Sequence, residues 1–424
     1  IELTGFRSQD RIFSAVRLTA FGRSINSSSP KPPRHNLPGL NRIDTHAMAI
    51  AICKDGVWSP TTILPSGGIN FTSANTTALQ YSQQGFEGAV AVYDGDASIS
   101  LFRIDANAER LQETARAIGV APVPVDQIVE AVRVVVELNR DYVPLDGGKL
   151  YIRPCLLGLE SNGANSAKTA MLVVEAFPYG DYLGKDSPGI SVVTLLDKSR
   201  PPSGAAKLGA NYGVDFQLKT EVKKAGFGDF MSIDLNGNVQ ELSTAALVFV
   251  QNNGQRNYSL CSPYVAGERP AGERVDVLNS ITRRSVLELA KVFGVEVEKR
   301  DIHHSELGNF ASLFSTGTAM GITRVNSLDV RPSFTHETMK RIDYSSDQTA
   351  ISLVGEFSEL IAAARQGQLR STVERWLKDE IDSSEYLHVK VVGMQSDARE
   401  GLLRALEALD ARWAVKIPLG RDHL

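Results

Sequence analysis

One lysine of the sequence stands among small residues that leave space around its amine. Lys207 lies in the segment GAAKLGANYG, residues 204–213, and Tyr212 follows shortly after it. Small neighbours let a ligand approach the amine closely, although a lysine in a glycine-rich loop is more often simply solvated. To react near neutral pH, an amine with an ordinary pKa of ~10.4 must be desolvated or lie near positive charge. The segment therefore predicts either a reactive lysine or a solvated loop.

A second candidate is a carboxylate that the pattern places inside the protein. Glu241 follows an Asn-Gly turn and opens the apolar part of DLNGNVQELSTAALVFV, residues 234–250. Burial of a carboxylate is unfavourable unless it meets a cation or strong hydrogen-bond donors. We therefore expect Glu241 to have such a partner in the interior.

The other reactive side chains carry less information. The sequence has no P-loop, HExxH, GxSxG or GxGxxG motif. His303 and His304 are adjacent but lack a nearby set of acidic or cysteine ligands, which favours a surface or helix-start role over a metal site. The three cysteines are far apart and without CxxC spacing, so they predict neither disulfides nor zinc and favour a reducing compartment: Cys53, Cys155 and Cys261. No metal is expected.

The composition is that of a soluble globular protein. The chain has 424 residues, of which 42% are hydrophobic and 22% are charged, and this length predicts roughly two or three domains. The formal net charge of −4 gives no electrostatic reason to expect a nucleic-acid partner. No apolar run approaches the ~20 residues of a membrane span, so no membrane partner is expected.

The elements that must position these residues fall into four stretches. Residues 1–43 form an arm that contains the linker SSSPKPP at residues 27–33. The arginine and serine content ahead of that linker is typical of a transit peptide, with a plain N-terminal arm as the alternative. A cytoplasmic protein is expected, or a mitochondrial one if the arm is a transit peptide. Residues 44–180 predict a small α/β domain, and residues 188–375 a larger second domain. Residues 380–424 predict a strand (EYLHVKVVGM) and a helix (DAREGLLRALEALDARW) of unknown role.

Within these stretches, four shorter patterns predict particular elements. AMAIAICKDGVW indicates two strands around a Lys-Asp-Gly turn, and residues 126–140 show apolar side chains at helical spacing. KLYIRPCLLGL and AMLVVEAFPYG are typical of buried strands. In the second domain, SVLELAKVFG at residues 285–294 predicts an amphipathic helix.

Six segments, in order, resemble the class IV (D-amino-acid and branched-chain) aminotransferases, and most closely the branched-chain branch. They span roughly residues 44–375, and Arg110 in LFRIDANAERL stands where this family has its phosphate-binding arginine. The segments are LQYSQQGFEG (79–88), LYIRP (150–154), KLGANYG (207–213), VQEL (239–242), LNSITRRSVLELA (278–290) and STGTA (315–319).

The resemblance implies a fold and a cofactor. The fold is α/β of fold type IV, with a smaller N-terminal domain, a larger C-terminal domain and pyridoxal 5′-phosphate in the cleft between them. Lys207 would hold the cofactor as a Schiff base and move the proton during turnover. The family forms homodimers whose partner loops help to close each site.

The remaining cofactor contacts also follow from the resemblance. Glu241 would keep the pyridine nitrogen protonated, and Tyr212 would donate to the ring oxygen. Phosphate donors would be Arg110 and the residues around the start of the 283–294 helix and the STGTA loop: Ile281, Thr282 and Thr318. For Arg110 the alternative is a surface ion pair with Glu109 or Glu113.

For the substrate, the resemblance implies an apolar wall and two carboxylate sites. The wall would consist of Tyr81, Phe86, Tyr179 and Tyr182. For Phe86 and Tyr179 a plain core position is an equal alternative. The N–H groups near Thr318 and Ala319 would bind the α-carboxylate, and Tyr151 with Arg153 the second carboxylate of glutamate.

The implied reaction is amino transfer between leucine, isoleucine or valine and 2-oxoglutarate. Some positions depart from the family pattern, with Gln80, Ala246 and Ser280 in place of the usual residues, and they indicate that substrate choice has room to differ. The alternatives are another class IV reaction, namely D-amino-acid transamination, aminodeoxychorismate lysis or a specialised biosynthetic transamination. A cofactor-binding protein without turnover is disfavoured, since it needs no proton-shuttling lysine.

Overall fold

A computed structural model describes residues 16–18, 45–67, 69–71, 74–95, 98–145, 147–160, 164–180, 189–270, 273–379 and 382–418. Apart from the strand at residues 16–18, the predicted arm at residues 1–43 lies outside the described residues. Within the described ranges, no helix combines the length and the apolar character that crossing a membrane requires.

The described residues form strands and helices in an α/β arrangement. The strands are β1 (Val16–Leu18), β2 (Ala47–Lys54), β3 (Val57–Trp58), β4 (Thr62–Pro65), β5 (Ile69–Phe71), β6 (Gln84–Phe86), β7 (Ala89–Tyr93), β8 (Ser98–Phe102), β9 (Lys149–Gly158), β10 (Thr169–Tyr179), β11 (Ile190–Leu195), β12 (Asp229–Ile233), β13 (Val239–Leu242), β14 (Ala246–Asn252), β15 (Tyr258–Ser262), β16 (Glu296–Lys299), β17 (Ser312–Gly317), β18 (Gly321–Arg331), β19 (Lys340–Asp343) and β20 (Ala414–Pro418). The helices are α1 (Thr77–Tyr81), α2 (Ile104–Ala117), α3 (Val125–Leu138), α4 (Ala210–Gly213), α5 (Phe216–Lys224), α6 (Ile281–Val292), α7 (Gln348–Gln366), α8 (Leu369–Trp376), α9 (Leu387–Val392) and α10 (Ser396–Trp413), with 3-10 turns at Arg140–Tyr142 and His304–Asn309.

The first large sheet is antiparallel throughout. Its order is β20-β8-β7-β9-β10-β2-β3, with β4 on β2 and β6 on β9. The predicted Lys-Asp-Gly hairpin is confirmed as β2 and β3, and the two predicted buried strands as β9 and β10. The predicted helix at 126–140 is confirmed as α3, which buries its apolar stripe in this sheet's core: Ile128, Val132, Val135 and Val136.

The second large sheet is mixed. Its order is β13-β12-β11-β18-β17-β14-β15-β16, with β19 on β18. The β11–β12, β11–β18 and β15–β16 pairs are parallel, and the other pairs are antiparallel. The first sheet's β10 ends at Tyr179 and the second sheet begins at Ile190, on either side of the boundary that the sequence predicts.

Helix α7 lies between the two sheets and joins their cores. It contacts β7 and β8 of the first sheet and β17 and β18 of the second. Its buried Phe357 belongs to one hydrophobic cluster with Val90 and Phe102 from the first sheet and Val248 and Phe314 from the second. Because this interior is continuous and close-packed, the two sheets keep fixed positions around the space between them.

The C-terminal extension differs from its prediction. The segment EYLHVKVVGM was predicted as a strand, and that prediction is wrong, because it contains α9. The buried carboxylate of Glu356 on α7 accepts the N–H groups of Tyr386, Leu387 and His388, which satisfies the start of this helix. A short apolar, β-branched run fits either a strand or a helix, so a distant residue decides.

The rest of the extension returns to the first sheet. The predicted helix is confirmed as α10, and the unpredicted strand β20 follows it directly. β20 pairs antiparallel with β8, from Ala414 opposite Phe102 to Pro418 opposite Ser98. Trp413 is fully buried against Phe102 at the junction. The tail is therefore part of the first sheet rather than an appendage.

Candidate active site

Lys207 presents its amine to a phenol and an aromatic ring. The single-turn helix α4 carries Tyr212, and Lys207 Nζ donates to the Tyr212 hydroxyl over 3.1 Å. The amine also lies 5.1 Å from the centre of the Phe86 ring, and the Lys207 side chain is half-buried. This position favours the reactive lysine over the solvated loop.

The backbone of Lys207 is tied to the first sheet and its helices. The Phe86 N–H donates to the Lys207 carbonyl over 3.1 Å, and the Lys207 N–H donates to Thr114 Oγ1 over 3.2 Å. This approach needs Gly85, because a Cβ at that position would overlap the methyl group of Thr114. The glycine of QGFEG is thus explained by close packing beside the lysine.

The buried carboxylate of Glu241 is paired with the guanidinium of Arg200. It is 4% exposed, and its Oε1 lies 2.8 Å from Arg200 Nε in an ion pair. Burial raises the pKa of Glu241, although Arg200 and Lys207 act in the opposite direction. The expectation of a buried charged partner is confirmed. The Leu278 backbone also hydrogen-bonds the Glu241 carboxylate, and Glu241 lines the cleft.

Arg110 is held rigidly on α2, but not by the two acids of its own helix. It forms a bidentate pair with Glu87, with Nε 2.7 Å from Oε1 and Nη2 2.8 Å from Oε2, and its Nη1 donates to the Asn279 carbonyl over 2.9 Å. Asn107 Nδ2 donates to the same carboxylate. Burial opposes ionisation of Glu87, but the Arg110 guanidinium outweighs it and holds the pKa of Glu87 below its ordinary value. The surface ion pair with Glu109 or Glu113 is therefore not formed, and the guanidinium is fixed at the cleft wall.

Helix α6 starts at the cleft with its N–H groups. Ser280 caps the helix by accepting the Arg283 N–H, while Ser280 and Ile281 line the cleft and Thr282 is buried behind them. The predicted helix at 285–294 is confirmed, with its start at Ile281. Unpaired N–H groups and the helix dipole favour an anion there.

The loop between β17 and β18 forms the facing wall. Thr316, Gly317 and Thr318 line the cleft. The carbonyl of Ala319, the next residue, accepts from the Tyr179 hydroxyl over 2.5 Å. Tyr179 itself is fully buried in the core that the two sheets share, so its ring is a core residue whose hydroxyl holds the loop.

Arg153 and two aromatic rings form a compact group beside the lysine. The Arg153 guanidinium lies 4.5 Å from the centre of the Phe86 ring and 5.1 Å from that of Tyr151, and its Nη2 donates to the Tyr151 hydroxyl over 3.2 Å. Tyr151 packs directly on Gly88, where a Cβ would overlap the hydroxyl oxygen. Arg153 Nε is buried and has no hydrogen-bond partner among the described residues, so its N–H can donate to a ligand.

Three residues that the sequence analysis considered do not belong to this group, or lie outside the described residues. Tyr81 ends α1 with 52% of its surface exposed and does not line the cleft. Tyr182 lies outside the described residues. His303 has the helix-start role that the sequence favours, because it caps the 3-10 turn His304–Asn309 away from the cleft.

Sequence reasoning missed two charged residues of the site. Glu87 belongs to the FEG triplet, so the motif marked this residue, but its pairing with Arg110 was not predicted. Arg200 precedes two prolines in an irregular segment, and nothing local shows that it reaches Glu241. Their partners are far away in the sequence.

The cleft that these residues enclose has the charge and the hydrogen-bonding groups for a phosphorylated aromatic cofactor. It is lined by residues from α2, α4, α6, β13 and the β17–β18 loop. Cations and helix N–H groups supply an anion site, and the Glu241 carboxylate that lines the cleft supplies an acceptor for a ring N–H. The amine of Lys207 opens into the same space. Pyridoxal phosphate fits this donor set.

Comparison with known proteins decides the family. The sequence model described as amino-transferase class IV matches residues 86–328, which contain all but Tyr81 of the described site residues. The chain belongs to the class IV aminotransferases. As a class IV aminotransferase, it is a transferase that uses pyridoxal 5′-phosphate.

Individual relatives agree with this family. The chain is 32% identical over 313 residues to branched-chain-amino-acid aminotransferase 6 of Arabidopsis thaliana, covering 72% of this chain and 82% of the relative. It is 29% identical over 333 residues to transaminase htyB of Aspergillus rugulosus, covering 73% and 82%. A solved branched-chain amino acid aminotransferase of Escherichia coli is 25% identical, with a TM-score of 0.53 and coverage of 70% and 89%. The predicted fold, two α/β domains of fold type IV, is confirmed.

Proposed function

We propose that this class IV aminotransferase moves the amino group between branched-chain L-amino acids (leucine, isoleucine and valine) and 2-oxoglutarate. The observation that carries the proposal is the geometry around Lys207, whose amine donates to the Tyr212 hydroxyl and lies near the Phe86 ring. Arg153 lies over the same Phe86 ring and donates to the Tyr151 hydroxyl. An apolar ring and a guanidinium side by side suit a site that accepts both an aliphatic and an anionic side chain.

The cofactor would be held by residues of both sheets. Lys207 would attach it through Nζ, Arg110 and the N–H groups at Ile281 and Thr282 would take its phosphate with Thr318, and Glu241 would accept the ring N–H. Bound there, pyridoxal phosphate supplies an electron sink for the bond to the substrate Cα. Glu87 keeps Arg110 in place, so the phosphate site needs little rearrangement.

The chain's own contribution to the reaction is proton movement and orientation. Once the substrate has displaced it from the cofactor, Lys207 Nζ would take the proton from the substrate Cα. It would then return that proton to the cofactor's C4′. The Tyr212 hydroxyl fixes the amine at 3.1 Å. Burial raises the pKa of Glu241 and Arg200 opposes that rise, so Arg200 would help the carboxylate to stay ionised beside the ring nitrogen.

A second candidate is a specialised biosynthetic transamination within the same family. It is favoured by the similarity to transaminase htyB of Aspergillus rugulosus and by the departures at Gln80, Ala246 and Ser280. Of these, Ala246 and Ser280 line the cleft, so a difference there reaches the bound molecules directly.

A panel of amino donors with 2-oxoglutarate, measured on the cofactor-loaded protein, distinguishes the two. The proposal expects leucine, isoleucine and valine to have the highest kcat/KM. A larger value for an aromatic, D- or non-standard amino acid would contradict it and favour the second candidate.

We also propose a homodimer and a cytoplasmic protein. The exposed Leu79 and Tyr81 of α1 form an apolar surface that a second copy could cover and bring to its partner's cleft. Light scattering on the purified protein, with Tyr81→Ser beside it, tests the dimer. A fluorescent fusion of the complete chain tests the compartment, with the mitochondrion as the alternative that residues 1–43 support.

A further inference from the structure

One buried arginine lies behind the cleft wall without a counter-charge. Arg365, near the end of α7, is 5% exposed and forms no ion pair with a carboxylate in the described part of the chain. Burial lowers the pKa of Arg365 to about 10, which still leaves the guanidinium charged at neutral pH. Since an uncompensated buried charge is costly, its presence at this place calls for a role.

Its contacts are with the loop that lines the cleft. Arg365 Nη2 donates to the carbonyl of Gly317 over 3.3 Å and to that of Thr318 over 3.0 Å. The next carbonyl, of Ala319, accepts from the Tyr179 hydroxyl over 2.5 Å and from Lys149 Nζ over 3.3 Å. Three consecutive carbonyls are therefore held from behind the loop.

Because peptide groups are planar, the direction of these carbonyls also fixes the direction of the N–H groups in the same peptides. In a trans peptide the N–H points away from the carbonyl of the same group. With the Gly317 and Thr318 carbonyls directed at Arg365, the N–H groups of Thr318 and Ala319 point to the opposite side. That side is the cleft, because Gly317 and Thr318 line it and Arg365 does not.

The two N–H groups are available to a ligand. Neither Thr318 nor Ala319 donates its N–H to another residue in the ranges that the structure describes. Two adjacent N–H groups backed by a buried cation form a small anion site. The charge adds to their attraction, since a guanidinium that donates to a carbonyl polarises the N–H beyond it.

We propose that Arg365 is a positioning residue that fixes the Thr318 and Ala319 N–H groups for the substrate α-carboxylate. The inference rests on the proposed function in so far as that loop binds the carboxylate. Arg365 does not touch the substrate; it acts through the loop carbonyls. A neutral side chain in its place leaves the loop free to turn those N–H groups away.

The test compares Arg365→Met, Arg365→Lys and the control Arg370→Met, each loaded with cofactor. Arg370 is a partly exposed arginine on α8 that pairs with Glu374 and Glu407 and does not line the cleft. The ligand is isocaproate, the carboxylate of leucine's carbon skeleton without the amine, and isocaproamide is its neutral counterpart. Calorimetry gives the two affinities, and titration of the apo forms gives the affinity for pyridoxal phosphate.

We expect Arg365→Met to bind isocaproate at least tenfold more weakly, with isocaproamide and cofactor affinities within twofold of the wild type. Arg365→Lys keeps the charge but loses the planar fork, so it should bind isocaproate several-fold more weakly. If the Met variant does not fold, the Lys variant carries the same comparison. Arg370→Met should behave as the wild type.

Two results would overturn the inference. One is unchanged isocaproate affinity in a folded Arg365 variant. The other is an equal loss for the acid, the amide and the cofactor, which shows a general structural role. Failure of the proposed function looks different: the wild type would bind isocaproate in an Arg365-dependent way but would not use leucine as a donor. A wild type that binds no carboxylate at all would contradict both the role of Arg365 and the proposed function.

Discussion

The buried pair of Glu87 and Arg110 offers the sharpest test of how the site is built. The change Glu87→Gln keeps the shape of the side chain but removes the negative charge, and it turns an amide donor toward a guanidinium that can only donate. Both partners are less than a tenth exposed. Breaking a buried pair from one side costs about 3–5 kcal/mol, because the remaining charge stays buried and uncompensated. We expect the free energy of unfolding of the apo protein to fall by that amount.

The cofactor should return part of this loss. If the phosphate lies against Arg110, it supplies the missing negative charge, so the cofactor-loaded variant should lose less stability than the apo variant. The assay is urea unfolding of both forms at pH 7, followed by circular dichroism. The control is Glu113→Gln, an exposed acid on the same helix, which should change stability by no more than about 0.5 kcal/mol.

The pH dependence has a definite sign. The folded-state pKa of Glu87 is lowered, so its contribution is complete above the ordinary carboxyl pKa of ~4.3 and is lost as the pH falls through the lower folded value. The difference between wild type and Glu87→Gln should therefore shrink in acid and stay constant toward neutral pH. An apo Glu87→Gln protein as stable as Glu113→Gln would refute the reasoning. Equal losses of stability in the apo and cofactor-loaded forms would show that the phosphate does not lie against Arg110.

Three further predictions concern the proposed reaction. Lys207→Ala should retain the fold and lose turnover, and after borohydride treatment mass spectrometry should find no cofactor attached to it; normal turnover would show that another residue moves the proton. Glu241→Gln should lose most of its kcat while cofactor affinity is kept, whereas Arg110→Ala should weaken cofactor binding by about 1.5–3 kcal/mol; titration of the apo variants would expose a reversal of these roles. Arg153→Ala should raise the KM for glutamate and 2-oxoglutarate tenfold or more, about 1.4 kcal/mol, and that for leucine much less; equal losses beside a lowered Tm would indicate a structural ion pair instead.

The sequence predicted the parts of the site that local patterns describe. Lys207 and Tyr212 lie on one short segment, and a single helical turn is enough to bring them together. The apolar stripe predicted the body of α6, whereas its cap at Ser280 is seen only in the structure. Glu241 follows from a turn and an apolar strand, which is why its burial could be expected before its partner was known.

The remaining parts depend on contacts between distant segments. Arg200 and Arg365 look like ordinary surface residues in the sequence, because their burial is decided by partners in other elements. The FEG triplet marks Glu87, but its partner Arg110 lies in another element. The same reason explains the error at α9. Its apolar, β-branched residues suit a strand, but the N–H groups at its start are satisfied by the carboxylate of Glu356, on α7 earlier in the chain.

The pairing of β20 with β8 has a consequence for synthesis on the ribosome. Domains tend to fold in the order in which the chain emerges, yet the first sheet cannot be completed until its last strand has been made, after the whole of the second sheet. Until then β8 has one edge without a partner, and an open edge strand is a site for pairing with other chains. Fragments that end before Ala414 should therefore aggregate rather than accumulate as a folded first half, which makes the final segment a poor place for a truncation or a tightly fused tag.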